Sequence, residues 1–368
     1  MIYMDNAATT IKKPDAVYDA VLDAMKHCGN SGRGMSDASL DASRKIYEAR
    51  MCLTEFFGGE DADRLVFTAN STEALNIAIH SLVSPGDPVV ISGYEHNSVT
   101  RPLHALGAQV RVAESPLFDP EAAVSAFRRA LPGAKAAVCT MVSNVFGYLL
   151  PVREIAELCA AAGVAAFWAA RAAGEKAALG AAFVAMPGHK GLLGPQGTGI
   201  LLCFAQPKPL LCGGTGSQSV LQDMPEELPD RLEAGTHNVP GIAGLLAGIR
   251  YLSAQGVEHI ERRERWLAQR LTAQLRAQPR LEVFASPDPA CQTAVLSVRC
   301  RDMDSELLAQ KLARYGIAVR AGLHCAPVAH RTAGTLESGT VRLSLSPFNT
   351  DAEIARTARV FHEILRAG

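Results

Sequence analysis

The chain has 368 residues, 48% hydrophobic and 20% charged, with 36 Lys+Arg against 37 Asp+Glu and a formal net charge of −1. That length holds about two domains, and the apolar content excludes a disordered chain. Charge balance excludes the basic excess of a nucleic-acid or anionic-membrane binder, and no apolar run reaches the roughly 18 residues of a membrane helix.

Leu65–Thr68 reads as a short strand stopping at Asn70-Ser71. Ala74, Leu75, Ala78, Ile79 and Leu82 then follow helical spacing, with Asn70 as cap and Glu73 as its return partner. Strands are predicted at Pro88–Ser92, Gln109–Ala113, Ala136–Val142, Val164–Trp168 and Phe183–Met186, and helices near Arg101–Leu106 and over Val152–Ala162. This alternation implies an α/β fold with a largely parallel sheet and ligands at the carboxyl ends of its strands. From Gly241 to Gln278 the chain reads as long, charged and helical. Strands at Ala294–Arg299 and Gly316–Arg320, a helix at Ser305–Ala313 and a last helix from Thr350-Asp351 complete the pattern. The expected division is a large domain over 16–250 and a small C-terminal α/β domain over 251–368, with residues 1–15 packing near the latter.

The nine cysteines are odd in number and form no CxxC pair, which argues against a disulfide framework or a zinc ribbon and for reduced thiols in the cytoplasm. The N-terminal stretch carries Asp5 and no apolar core, so no signal peptide is expected there. Candidate chemistry sits in loops. Lys190 lies in Pro187-Gly188-His189-Lys190-Gly191 after a strand, and reads either as a solvated turn lysine or as a Schiff-base lysine. Asn70-Ser71-Thr72 opens a helix, and is an ordinary cap or an anion site. His96 follows a strand end, where ligands lie. Cys325 stands between Arg320, His324 and Pro327 in what reads as an exposed loop, where positive neighbours would favour its thiolate. Arg342 lies inside a strand-like run and needs a carboxylate partner, internal or on a ligand.

In order along the chain stand DNAATT at 5–10, NSGRG at 30–34, FTANSTEALN at 67–76, EHNS at 95–98, SNVFG at 143–147, PGHKGLLGPQGTG at 187–199, PDRLEAGTHNVPGIAGL at 229–245, RAGLHCAP at 320–327 and VRLSLSPFNT at 341–350. This series resembles the cysteine desulfurase family, class V enzymes of fold type I that use pyridoxal 5'-phosphate, over nearly the whole chain. The resemblance implies a large cofactor domain with a mostly parallel sheet and a smaller C-terminal domain. It makes Lys190 the cofactor's Schiff-base lysine and gives Ser71, Thr72 and His189 the phosphate. It stacks His96 on the pyridine ring and sets Asn144 at the ring oxygen and the substrate. Arg342 takes the substrate carboxylate and Cys325 takes sulfur as a persulfide. Thr236 would reach the partner subunit's phosphate, which implies a homodimer, and a sulfur-acceptor protein is a further implied partner.

The sequence departs from the family in one place that touches the chemistry. Where the family has Asp-Ala-Ala-Gln, this chain has Trp168-Ala169-Ala170-Arg171, inside a stretch with 14 alanines in 27 residues (160–186). The family's aspartate pairs with the pyridine nitrogen, whereas indole only donates. Arg171 stands at the position of the glutamine near the ring oxygen. Three readings follow: a desulfurase with a weakened electron sink, with Arg171 at the ring nitrogen; a degenerate paralogue relaying sulfur through Cys325; or a pocket remodelled for selenocysteine or another amino acid. Ser36 and Pro187 replace a histidine and a phosphate-binding serine of the family.

Overall fold

The computed structural model describes residues 1–32, 34–169 and 180–366. Strand β1 (Ile2–Tyr3) and helices α1 (Asp15–His27) and α2 (Asp37–Phe56) come first. There follow β2 (Leu65–Thr68), α3 (Ser71–Leu82), β3 (Pro88–Ser92), α4 (Asn97–Ala105), β4 (Gln109–Ala113), α5 (Pro120–Ala130), β5 (Ala136–Thr140), α6 (Val152–Ala161), β6 (Ala165–Ala169), β7 (Phe183–Pro187) and β8 (Gly199–Cys203). Helices α7 (Val239–Gln255) and α8 (Val257–Arg276) lead to β9 (Leu281–Phe284), β10 (Val295–Cys300), α9 (Ser305–Arg314), β11 (Ile317–Ala318), β12 (Arg320–Gly322), α10 (Pro327–Thr332), β13 (Thr340–Ser344) and α11 (Asp351–Arg366).

Seven strands form one sheet in the order β2-β8-β7-β6-β5-β3-β4, parallel except for β8, which runs antiparallel to both neighbours. Alternation along each strand sends side chains to two cores. On β6, Ala166 and Trp168 join the larger core with residues of α2 and α7, while Phe167 joins the opposite core with residues of α3 and α4. A four-stranded antiparallel sheet, β12-β13-β10-β9, has its own core with α8, α9 and α11. The N-terminus runs against this second unit: β1 pairs with β11, and Met4 is buried in that core.

Two readings of the sequence need correction. The helical stretch after Gly241 is two helices, broken where Gly256 adopts φ +78°, a conformation that glycine reaches without strain. The first of them is apolar and largely buried; only the second carries the charged face. The strand expected over Gly316–Arg320 is likewise two: Ile317–Ala318 pairs with β1, and Arg320–Gly322 pairs with β13.

Candidate active site

Parallel strands all present their carboxyl ends at one edge; the loops leaving that edge carry Ser71, Thr72, His96, Asn144 and Lys190, while Cys325 and Arg342 come from the four-stranded sheet. After β2, Asn70 caps α3 by accepting from the Glu73 N–H at 3.0 Å, and the Glu73 carboxylate accepts from the Ala69 N–H at 2.6 Å. Ser71 and Thr72 are therefore the first residues of a well-fixed helix. After β3, His96 caps α4 in the same way: its Nδ1 accepts from the Ser98 N–H at 3.0 Å. The Ser98 hydroxyl lies 2.9 Å from that nitrogen and 2.8 Å from the Thr72 hydroxyl. Thr72 and Ser98 thus join two helix starts; at α4 the Asn97, Ser98 and Val99 N–H groups are taken by the Cys325 carbonyl, His96 Nδ1 and the His96 carbonyl, which leaves the N-terminus of α3 and the two hydroxyls to face an anion.

After β7, the turn of His189 and Lys190 is held by the N-terminal segment. The Thr10 N–H and hydroxyl donate to the carbonyls of His189 (3.1 Å) and Lys190 (2.9 Å), and the Thr9 hydroxyl sits 3.0 Å from His189 Nδ1. After β5, the Asn144 side-chain amide donates to the His324 carbonyl at 2.8 Å. On β13, Arg342 is only 2% exposed. It donates to Asp5 Oδ1 at 2.7 Å and to the Asn144 carbonyl at 3.0 Å, while its Nε–H is buried without an acceptor among the described residues. Cys325 is exposed, and its carbonyl accepts from the Asn97 N–H at 2.8 Å, which ties its turn to the start of α4. The Arg320 guanidinium lies 4.0 Å from its sulfur.

Positive charge dominates this edge. Burial first, and then the charges of Lys190, Arg320, Arg342 and Arg101, lower the His96 pKa to about 4. Burial, with Lys190 and Lys13, does the same to His189. Both rings are neutral at neutral pH. His324 is also neutral: burial and Arg342 push it down to about 2, and its Nε2 faces Thr340. It therefore brings no positive charge to Cys325, contrary to the expectation from sequence; Arg320 and Arg342 are the cations near that thiol. Glu95 is wholly buried beside His96, accepts from the Ser92 hydroxyl and from the Thr140 N–H, and is pushed up to about 7 by burial.

Trp168 is 0% exposed, stands opposite Cys139 across β5 and β6, and its indole N–H has no partner among the described residues. Arg171 lies outside the described residues. Thr236 is exposed, in the loop before α7. Its neighbour Glu233 binds Arg50 through both oxygens (2.9 and 2.7 Å), the Phe67 N–H (2.7 Å) and His237 Nε2 (2.6 Å). Ser36 takes up a structural task, capping α2 through the Ser39 N–H. Sequence reasoning missed Asp5, Thr9, Thr10 and Ser98 as partners of the site, although each lies inside a motif already singled out.

The chain matches the aminotransferase class-V family over residues 2–357. It belongs to that family. Its relatives include a probable cysteine desulfurase of Methanothermobacter thermautotrophicus, 35% identical, with 100% of this chain and 95% of that protein covered. A cysteine desulfurase of Serratia proteamaculans is 31% identical, covering 97% of this chain and 91% of the relative. Among solved structures, the apo cysteine desulfurase of Thermococcus onnurineus superposes with a TM-score of 0.89 at 29% identity, covering 100% of this chain and 95% of that one. The Escherichia coli cysteine desulfurase CsdA gives 0.86 at 26%, covering 99% and 94%. The class-V fold is thus that of fold-type-I enzymes. Among the described residues, no helix is long and apolar enough to cross a membrane.

The neutral histidines of this class-V site predict an acid-labile fold. His96 and His189 sit at about 4 and His324 at about 2, against an ordinary 6.5, and His330, buried in α10 with its Nδ1 against the Thr335 hydroxyl, also sits at about 4. Between 6.5 and about 4 the unfolded chain binds protons that the native chain refuses, so stability is present above that window and is lost as pH falls through it. Glu95 works the other way below about 7, but it is one group against four. Each net proton tilts stability by about 1.4 kcal/mol per pH unit. The urea midpoint of the cofactor-free protein is expected to fall steadily from about pH 7 to about pH 5. A midpoint that holds or rises would show that these rings are charged in the fold.

Proposed function

We propose that this chain is a pyridoxal-phosphate enzyme that takes sulfur from L-cysteine, leaving alanine and a persulfide on Cys325. The observation that carries this is the meeting of Lys190, His96, Asn144, Arg342 and Cys325 at one sheet edge, in a chain whose relatives are named cysteine desulfurases. The donor chemistry fits the cofactor. The N-terminus of α3 with the Thr72 and Ser98 hydroxyls beside it suits a phosphate, and a buried Arg342 Nε–H without an acceptor among the described residues suits a carboxylate.

When bound, pyridoxal phosphate draws electrons from the substrate's α-carbon. Ser71, Thr72 and His189 would hold its phosphate, with Thr236 of a second copy completing the site. Lys190 would hold the cofactor and move the α-proton, with Thr9 and Thr10 fixing the turn it stands on. His96, neutral, would face the ring without adding to the positive charge. Arg342 binds the substrate carboxylate and Asp5 orients its guanidinium. Cys325, beside Arg320, would attack the substrate sulfur: an S–S bond forms, the carbon–sulfur bond breaks, and the electron pair leaves with the carbon that becomes alanine. Cysteine plus thiol equals alanine plus persulfide, so no external oxidant or reductant enters. A sulfur-acceptor protein then removes the outer sulfur. We read residues 16–250 as the cofactor domain and 251–368 as the small domain that carries Arg342 and Cys325. Nine cysteines with no disulfide among them suit a reducing compartment.

Trp168 favours a second reading. A buried indole gives a ring nitrogen no acceptor, which weakens electron withdrawal, and Cys325 then serves as a relay charged by another enzyme. One experiment separates the two. The purified protein, loaded with pyridoxal phosphate and reduced with borohydride, is expected to carry the adduct on Lys190. Given L-cysteine, the unreduced protein is expected to form persulfide on Cys325 together with alanine, and Cys325→Ala to lower alanine release about a hundredfold or more. An adduct without persulfide or alanine supports the relay; the absence of any adduct overturns the cofactor assignment.

A further inference from the structure

The turn that carries Cys325 is strained. His324 (φ 49°) and Cys325 (φ 58°) stand side by side in the left-handed region, where residues other than glycine are uncommon. Such a pair persists only where its surroundings hold it. The chain leaves β12 at Gly322, opposite Thr340 of β13, and folds straight back. The buried His324 ring then puts Nε2 3.2 Å from both the carbonyl and the hydroxyl of Thr340. A carbonyl only accepts, so this neutral ring carries its proton on Nε2; its Nδ1 has no hydrogen-bond partner among the described residues.

From Thr340 the contacts run on. Its hydroxyl donates to Ser297 Oγ at 3.2 Å, and the Ser297 hydroxyl donates to the Val145 carbonyl at 2.7 Å. Asn144, next to Val145, returns to the turn by donating to the His324 carbonyl at 2.8 Å. The loop after β5 and the four-stranded sheet thus grip one residue, at its carbonyl and at its ring. The buried His330 ring packs on that ring, with centroids 5.6 Å apart.

We propose that His324 is a positioning residue: clamped between Thr340 and Asn144, it holds Cys325 in the left-handed turn from which the thiol is presented to the substrate sulfur. This rests on the desulfurase reading above, which gives His324 no task. His324 acts through the backbone of its neighbour.

The test uses the full-length protein with His324→Gln, His324→Met and His324→Gly. Glutamine and methionine have the same reach and bear the same backbone strain, but only glutamine can donate to Thr340. Glycine takes the turn without strain and holds nothing. With pyridoxal phosphate and L-cysteine, kcat for alanine release is expected to fall about tenfold or more in His324→Met and His324→Gly, and less than about threefold in His324→Gln. KM should stay within about twofold throughout, because Arg342 and Asn144 are untouched. Without cofactor, amide exchange over residues 322–326 is expected to quicken about tenfold or more in His324→Met and His324→Gly but not in His324→Gln, while β10 exchanges alike in the glutamine and methionine variants. Equal kcat and equal exchange for those two variants overturn the proposal, since the ring then acts only by filling space. A raised KM with kcat unchanged overturns it too, by placing His324 in substrate binding. Should the unaltered protein release no alanine, the desulfurase reading fails, and the exchange of His324→Gln against His324→Met still decides whether His324 holds the turn.

Discussion

Trp168→Asp is expected to lower the melting temperature of the cofactor-free protein by on the order of 10 °C or more. On family resemblance the aspartate looks like a repair. Physically it is not, because Trp168 is wholly buried on β6, between β5 and β7, in the larger core. Emptying such a site of its aromatic ring costs about 3–5 kcal/mol, and an unpaired carboxylate in the gap adds to this. Together these rival the roughly 5–15 kcal/mol that holds a typical domain folded. Trp168→Phe keeps most of the volume and removes only an N–H that has no partner, so its melting temperature should stay close to the parent's. Calorimetry of the three proteins decides. An unchanged melting temperature for Trp168→Asp would mean that the position faces a polar site. Recovery of that variant by pyridoxal phosphate, without a matching gain in the parent, would place the ring nitrogen against residue 168.

Features set by near neighbours in the chain were legible in the sequence. The Asn70 cap with its Glu73 return, the β2–α3 turn and the strand Pro88–Ser92 each follow from a few adjacent residues. The break at Gly256 was legible in principle, since a glycine interrupts the pattern there, but the charge of α8 masked the change of face. Contacts between distant segments were not legible. Asp5 and Arg342 are 337 positions apart, and only the pairing of β1 with β11 and of residues 5–7 with Ser344 brings them together. His324 was misread for the same reason: its charge state depends on burial against Thr340 and on Arg342, not on its neighbour Cys325. The order of the nine motifs pointed to the family, while each residue alone remained open to an ordinary structural reading.

The other large effect belongs to Glu233, three residues before Thr236. Its carboxylate receives the Arg50 guanidinium at two oxygens, the Phe67 N–H of β2 and His237 Nε2. Burial pushes its pKa up, but the His237 bond and the Arg50 charge outweigh this and hold it below its ordinary value. Glu233→Ala leaves a buried guanidinium unpaired, a change that typically costs about 3–5 kcal/mol. Arg50→Met leaves a buried carboxylate and should cost a similar amount. The double variant Arg50→Met with Glu233→Met removes both charges and is expected to recover more than half of either loss, since the penalty lies in the unpaired charge rather than in the missing bond. Urea unfolding of the four proteins measures the coupling. Additive losses would show that the pair acts only by filling space. The same network fixes the segment that carries Thr236, so the singly charged variants should also loosen the loop before α7, read as faster amide exchange there, while the double variant leaves His237 without its carboxylate and keeps that exchange fast. Recovery of stability without recovery of loop order would separate the two tasks of this one carboxylate: holding α2 to β2, and presenting Thr236.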